Sequence, residues 1–307
     1  MNRRLTEKLK LPESFRVPWF GGKWYQFLNK QDNKAIEKET LSGYVLNTEP
    51  RKETVTASLT SFPARIEYVH LAIKSLMLQD YKPDRVVLWL SEEQFPDHKL
   101  PKQLTDLQEN GLEIYFVADN LYGHKKHFDA LLAQKENELV ITYDDDIIYP
   151  PNSIAKLIKT HEKFPKCVVC NRAQAMAYDA DGNMQNPGRW KTISDVGLHE
   201  PSYQLLPSNG GGCLYPFGAV KKEIVDAELI KSTALKADDL WVMFACAESQ
   251  TKVIKTCKYH KIFSVVTATQ VVQLATANIL DNMYFERFNN LKNAFPKAYN
   301  RIVSDRT

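Results

Sequence analysis

Between Thr54 and Ile158 the chain alternates short apolar runs with amphipathic ones, and that alternation leaves few folds open. Arg85-Val-Val-Leu-Trp-Leu90 is apolar after its first residue, as a strand covered on both faces must be. Thr54–Leu59, Leu112–Val117 and Glu138–Tyr143 read as further strands. Between them, Ile66, Val69, Ile73, Leu76 and Met77 share one face of a helix that follows the turn Ser61-Phe-Pro63. Gln103–Glu109 and Lys125–Gln134 read as helices too, and Pro150-Pro-Asn-Ser153 opens another with Ile154, Leu157 and Ile158. Strand–helix alternation at this spacing predicts βαβ units and a largely parallel sheet. In such sheets ligands bind beyond the carboxyl ends of the strands.

At that edge stands the chemically strangest segment. Val140, Ile141 and Tyr143 form a buried strand that runs into Asp144-Asp145-Asp146. Adjacent like charges beside a core are costly unless something compensates them. A divalent cation would do so, because Mg²⁺ takes one or two carboxylates together with substrate phosphate oxygens. Asp144 and Asp146, alternate residues of a strand-to-loop turn, are expected to share a cleft as metal or ribose ligands. The competing reading is an acidic surface turn that caps the next helix.

The second half is less regular. Cys167–Cys170, Val253–Thr256 and Ile262–Val266 read as short strands, and Ala277–Phe295 as the last long helix. Four segments there and nearby carry possible chemistry. Asp238-Asp239 opens a helix running to about Glu248; one carboxylate is expected to cap it and the other to face the cleft as a base. Gly210-Gly-Gly212 lets backbone lie against a ligand or adopt positive φ; Gly211 and Gly212 are candidate donor contacts, against a plain turn. In Tyr122-Gly-His-Lys-Lys-His127, Lys125 and Lys126 either meet a phosphate at a helix start or form a solvated basic turn. Arg172 follows a buried strand and so is placed to enter the cleft. His260 is either a metal ligand or a surface histidine.

With 307 residues and 25% charged content, the chain suits one large α/β domain. Its net charge of +3 is too mild to imply nucleic acid. The five cysteines are scattered, as in a reducing cytosol. Residues 1–50 read as an arm. Its first 30 residues hold seven Lys/Arg (Arg3, Arg4, Lys8, Lys10, Arg16, Lys23, Lys30) against Glu7 and Glu13, interleaved with Phe15, Trp19, Phe20, Trp24, Tyr25 and Phe27. Gly21-Gly22 and two prolines predict no long helix there. The arm either makes a peripheral contact with anionic lipid or packs its aromatics on the main domain. No GxGxxG or GxxxxGK[ST] run occurs.

Several segments in order carry a family resemblance. Val55-Thr-Ala-Ser-Leu-Thr-Ser-Phe-Pro-Ala-Arg65 looks like an opening nucleotide-binding segment. Ser75-Leu-Met-Leu-Gln79-Asp-Tyr81-Lys-Pro83, Thr142-Tyr-Asp-Asp-Asp146, Ile148-Tyr149-Pro-Pro151, Gly210–Pro216 and Asp238-Asp239 follow. Together they resemble nucleotide-sugar-dependent glycosyltransferases of the GT-A fold, most closely the bacterial family-2-like enzymes. The resemblance spans residues 54–260. It implies a Rossmann-like, mostly parallel sheet flanked by helices, with a domain over 51–267 and a C-terminal helical segment over 268–307. It implies a UDP-sugar donor, Mn²⁺ or Mg²⁺, and a glycan or lipid-linked glycan acceptor in capsule, lipopolysaccharide or other cell-surface polysaccharide synthesis. The place would be the cytoplasm, at the inner face of the plasma membrane. Thr60, Ser61, Phe62, Arg65, Asp144 and Asp145 would contact the nucleotide, Asp144 and Asp146 the metal, and Asp239 would be the base of an inverting transfer. Asp238 stands where the family more often has Glu. Rival readings are a sugar nucleotidyltransferase, which the glycine-free Thr60–Arg65 turn disfavours, and a nucleotide- or glycan-binding protein without turnover.

Overall fold

The computed structural model describes residues 22–305, apart from 44, 182, 259–262 and 272–282. The first half has the expected alternation: β1 (Thr54–Thr60), α2 (Val69–Met77), β2 (Arg85–Ser91), α3 (Lys102–Gln108), β3 (Leu112–Val117), α4 (Lys125–Ala133) and β4 (Glu138–Thr142). A helix, α1 (Gly22–Lys38), precedes them. After the aspartates come β5 (Ile147–Ile148), α5 (Ser153–His161), β6 (Val168–Cys170), β7 (Ala173–Ala175), β8 (Leu205–Pro207) and β9 (Cys213–Tyr215). The chain continues through α6 (Ala227–Thr233), α7 (Asp238–Glu248), β10 (Val253–Lys255) and β11 (Ser264–Val265) to α8 (Met283–Ala294) and α9 (Pro296–Ser304).

Seven strands form one sheet in the order β10-β6-β9-β4-β1-β2-β3. β1 pairs in parallel with β2 and β4, β2 with β3, and β10 with β6. Only β9 runs against its neighbours, β4 and β6. The α/β class with a mostly parallel sheet is therefore the one the sequence implied. Alternate residues feed two cores. Leu214, Val169 and Ile254 join Leu59, Ile73 and Leu157 on one face, while Cys213, Tyr215 and Val168 join α7 and α8 on the other.

The reversed β9 matters for the site. Its start lies at the edge where β4 and β6 end, so the residues just before it, Gly210–Gly212, reach the same edge as the Asp run and Arg172. α7 is buried from Leu240 to Ala247, and its only polar residues are Asp238 and Asp239 at the start and Glu248 at the end. A helix apolar all round must be central, which delivers the acidic pair to the middle of that edge.

Three expectations change. Gly22 begins α1 instead of breaking it, since residues 23–38 contain neither glycine nor proline. Leu28 and Ile36 of α1 are buried, and Asn29, Asp32 and Asn33 bond to Val265 and Ser264 of β11. Phe27 stays exposed, while Phe15, Trp19 and Phe20 lie outside the described residues. The C-terminal helix ends at Ala294, and Pro296, suited to a first helical turn, starts α9. Both helices pack into the α7 core through Phe288, Leu291 and Ile302. Finally, periodicity missed the separate β7–β8 pair and the central strand β9, because such three-residue strands show no period.

Gly212 has φ +85°, and a Cβ there would lie 2.5 Å from Cε1 of buried Tyr143. Gly212→Ala combines left-handed strain with a clash against backbone-fixed aromatic carbon. It is expected to destabilise by roughly 2–4 kcal/mol, read by chemical denaturation.

Candidate active site

The three aspartates do not stand uncompensated. β4 lies beside β1, so the turn after β1 meets the turn after β4. Ser61 Oγ donates to Asp145 Oδ2 (2.6 Å), and Arg65 Nη1 donates to Asp145 Oδ1 (2.8 Å). The same nitrogen lies 3.0 Å from Asp146 Oδ2. Both oxygens of Asp145 are thus engaged inside the chain, and it is buried. Asp145 fixes Arg65 and the turn, a different duty from the nucleotide contact expected of it.

Lys126 closes the other side. α4 packs across β1, β2 and β4, and the Lys126 carbonyl accepts from Ser58 Oγ (2.7 Å). Its buried Nζ bridges Asp144 Oδ1 (2.7 Å) and Asp238 Oδ2 (2.9 Å). Burial alone would lower its pKa, but Asp144 and Asp238 raise it, so the ammonium stays charged. The solvated-turn reading of residues 122–127 is therefore wrong: His124, Lys125, Lys126 and His127 are all buried. Lys125 has only Asn120 Oδ1 at 3.4 Å, and burial pulls its pKa down to about 8 against the pull of Asp129 and Asp145.

The acidic pair is split by its surroundings. Neither carboxylate caps α7, whose N-cap is Ala237 without a side-chain bond. Burial would raise the pKa of Asp238, but Lys126 holds it below the ordinary carboxylate range. Burial and the charges of Asp238 and Asp144 hold Asp239 well above that range. Asn209, which precedes the three glycines, orients Asp239. Its Oδ1 accepts from Thr142 Oγ1 (2.6 Å) and His127 Nε2 (3.0 Å), so its Nδ2 faces Asp239 Oδ1 (2.5 Å) and Asp238 Oδ2 (3.3 Å). His127 is neutral, since burial and Lys126 lower its pKa to about 3. Sequence reasoning passed over Asn209; the available signal was an amide at the head of a glycine run between apolar strands.

The remaining expected residues divide. Arg172 Nη1 reaches the Gly210 carbonyl (3.3 Å), and a Cβ on Gly210 would lie 3.0 Å from that nitrogen and 3.2 Å from Asp144 Oδ2. Arg172 and Asp144 therefore meet over Gly210. The Cβ space of Gly211 and Gly212 is filled by Arg172 and Tyr143, so these two glycines serve the chain's own packing. Thr60 spends its hydroxyl on the Trp89 carbonyl (2.7 Å). Phe62 lies under the Arg65 guanidinium at 5.5 Å. His260 lies outside the described residues. A hollow of ≈ 480 Å³ lined by Thr54, Arg85 and Glu138 sits at the amino-terminal ends of β1, β2 and β4, away from these groups.

Among the described residues no cluster of three or more His, Cys, Asp or Glu side chains is arranged to hold a metal. Asp144 and Asp146 nevertheless fit a hard divalent ion by donor chemistry. Each gives one oxygen to a chain cation and keeps the other. Burial, Asp144 and Asp145 push the Asp146 carboxyl up to about 6 against Arg65 and Lys126. That excess of negative charge favours one more proton or cation here.

No family model matches the chain, and no curated protein matches it. Among the many solved structures that resemble it, three show how low the similarity is. The 4-diphosphocytidyl-2C-methyl-D-erythritol synthase of Anaerococcus prevotii is 13% identical, with TM-score 0.45 over 76% of this chain and 96% of that one. A second 4-diphosphocytidyl-2C-methyl-D-erythritol synthase is 12% identical, with TM-score 0.42 over 75% and 98%. TarS residues 1–349 from S. aureus are 15% identical, with TM-score 0.41 over 79% and 72%. At these scores the likenesses decide nothing about chemistry.

Two outcomes follow from the electrostatics. Lys126→Met leaves Asp144 and Asp238 without their cation and is expected to cost about 3–5 kcal/mol at neutral pH. Asp238 is held low in the folded state, so this loss should shrink as pH falls toward its folded value; denaturation at several pH values checks it. Asp146 has the opposite sign. Its folded pKa is raised, so its contribution to stability is present below about pH 4 and lost as pH rises through 6. Asp146→Asn should therefore melt a few degrees above the wild type at pH 7.5 and level with it at pH 4.

Proposed function

We propose that this chain is a metal-dependent glycosyltransferase that moves a sugar from a UDP donor to a hydroxyl of a glycan acceptor with inversion. The supporting observation is the convergence around Lys126. One ammonium joins the sheet-edge aspartate Asp144 to Asp238 of the acidic pair, which brings a phosphate-side cluster and a basic carboxylate into one site. The family resemblance of residues 54–260 points the same way. Its setting would be the synthesis of cell-surface polysaccharide. No helix of the described residues is long and apolar enough to cross a membrane, and the lipid-linked form of the acceptor belongs to the same proposal.

In this reading Asp144 and Asp146 would hold Mn²⁺ or Mg²⁺ at the donor side of the site. The bound ion supplies Lewis-acid neutralisation of the departing diphosphate. Arg65, Lys126 and Arg172 add positive charge on the same side. Asp145 keeps Arg65 in place. Asp239, whose raised pKa makes it the stronger base of the pair, takes the proton of the acceptor hydroxyl. That oxygen attacks the anomeric carbon from the face opposite the leaving group. The bond from the anomeric carbon to the phosphate oxygen breaks, and its electron pair leaves with UDP. Asp238, ionised on Lys126, keeps a negative charge beside Asp239 that maintains its basicity.

Calorimetry with UDP, with and without Mn²⁺, tests the donor side. Binding is expected to need the metal, to be lost in Asp146→Ala, and to weaken as pH falls below 6, where the Asp146 carboxyl takes up a proton. Asp239→Asn should bind UDP like the wild type and lose transfer by about 10²–10⁴-fold, measured with a panel of UDP-sugars. Normal metal-dependent binding by Asp146→Ala would refute the metal assignment. A product with retained anomeric configuration would remove Asp239 from the role of base.

A further inference from the structure

Tyr122 is unlike the rest of the site's surroundings. Its φ is +50°, a region that bulky side chains rarely enter. The residue is 39% exposed, so little core packing repays the strain. Strained backbone that packing does not explain is found where a side chain is held for use.

Its position suggests the use. The next residue, Gly123, lies against Asp238, and a Cβ there would be 3.2 Å from the carboxylate. Lys236, two residues before Asp238, holds its ammonium 5.1 Å from the centre of the Tyr122 ring. The ring is thereby tied to both segments that meet at the acidic pair. A second aromatic arrives from the C-terminal segment. Tyr284 stands one turn before Phe288, whose ring packs on Phe244 of α7 at 5.2 Å. Arg287 Nη1 reaches the Lys236 carbonyl (3.4 Å), which sets this end of α8 beside the start of α7. Burial, Asp239 and Asp238 raise the pKa of the Tyr284 hydroxyl.

Resting on the transferase reading above, we infer that Tyr122 is the stacking platform of an acceptor subsite for a pyranose ring beside the acidic pair. A pyranose presents an apolar C–H face and a rim of hydroxyls. An aromatic ring covers the first, and neighbouring carboxylates accept from the second. A tyrosine has only two side-chain torsions to fix, so it gives contact area at small entropic cost. The platform places the sugar beside the pair, with one hydroxyl turned to Asp239.

The test compares wild type, Tyr122→Gly and Tyr122→Phe on an array of immobilised pyranose oligosaccharides, with UDP and Mn²⁺ present. UDP binding is measured in parallel by calorimetry, and each protein is melted. Wild type and Tyr122→Phe are expected to bind a common set of glycans, and Tyr122→Gly to bind them at least about tenfold more weakly. UDP affinity should be the same in all three. Glycine relieves the positive φ, so Tyr122→Gly should melt no earlier than wild type, which separates loss of the ring from loss of the fold. Undiminished glycan binding by Tyr122→Gly overturns the inference, as does a lower melting temperature that accompanies the loss. A wild type that binds no glycan overturns it as well, whether or not UDP binds. Glycan binding that needs the Tyr122 ring in a protein that never binds UDP would sink the donor reading and leave the subsite standing.

Discussion

The bridge made by Lys126 is the interaction on which the site depends. It joins a carboxylate at the end of β4 to one at the start of α7, residues 144 and 238 of the chain. Without a buried cation there, the two carboxylates would repel, and the fold would have to hold them apart. With it, the regular parallel half and the irregular second half share one electrostatic centre. The burial of Lys126 is tolerable because its ammonium reaches two carboxylates and its carbonyl is hydrogen-bonded as well.

That centre separates the chemistry of adjacent residues. Asp238 and Asp239 are neighbours in sequence with opposite surroundings: one on an ammonium, the other on an amide and between two like charges. A shared environment would have given two equivalent acids. The unequal one lowers the pKa of Asp238 and raises that of Asp239, and surroundings of this kind are how carboxylates acquire distinct duties. Arg65 performs a related sorting in the aspartate run: it takes one oxygen of Asp145, whose other oxygen goes to Ser61, and one oxygen of Asp146.

The sheet was legible in the sequence because its strands are long enough to show continuous apolar runs, as Arg85–Leu90 does. The Asp run was legible as a place that needs compensation because its charges contradict the strand that carries them. Its compensation was not: Arg65 and Lys126 come from other elements, and nothing local announces the pairing. The same holds for Asn209, whose amide is useful only because Thr142 and His127 fix its orientation from two other segments. The glycines were read as room for a ligand or for positive φ; Gly212 has φ +85°, and Arg172 and Tyr143 fill the Cβ space of Gly211 and Gly212. α1 was misread because its breaking residues lie at its boundary, where they start a helix instead of interrupting one.

The docking of α1 carries a mechanical consequence. Its Asn29 and Asn33 grip Val265 and Thr267 on either side of Val266, whose N–H donates to the Asp146 carbonyl at 2.7 Å. The first described helix is thus fastened to the third aspartate through a single short strand, beside the small cluster of Ile36, Leu71, Ile148 and Val266. A load applied at that helix is delivered to the acidic turn directly. Helix α1 is a handle on the turn it helps to hold.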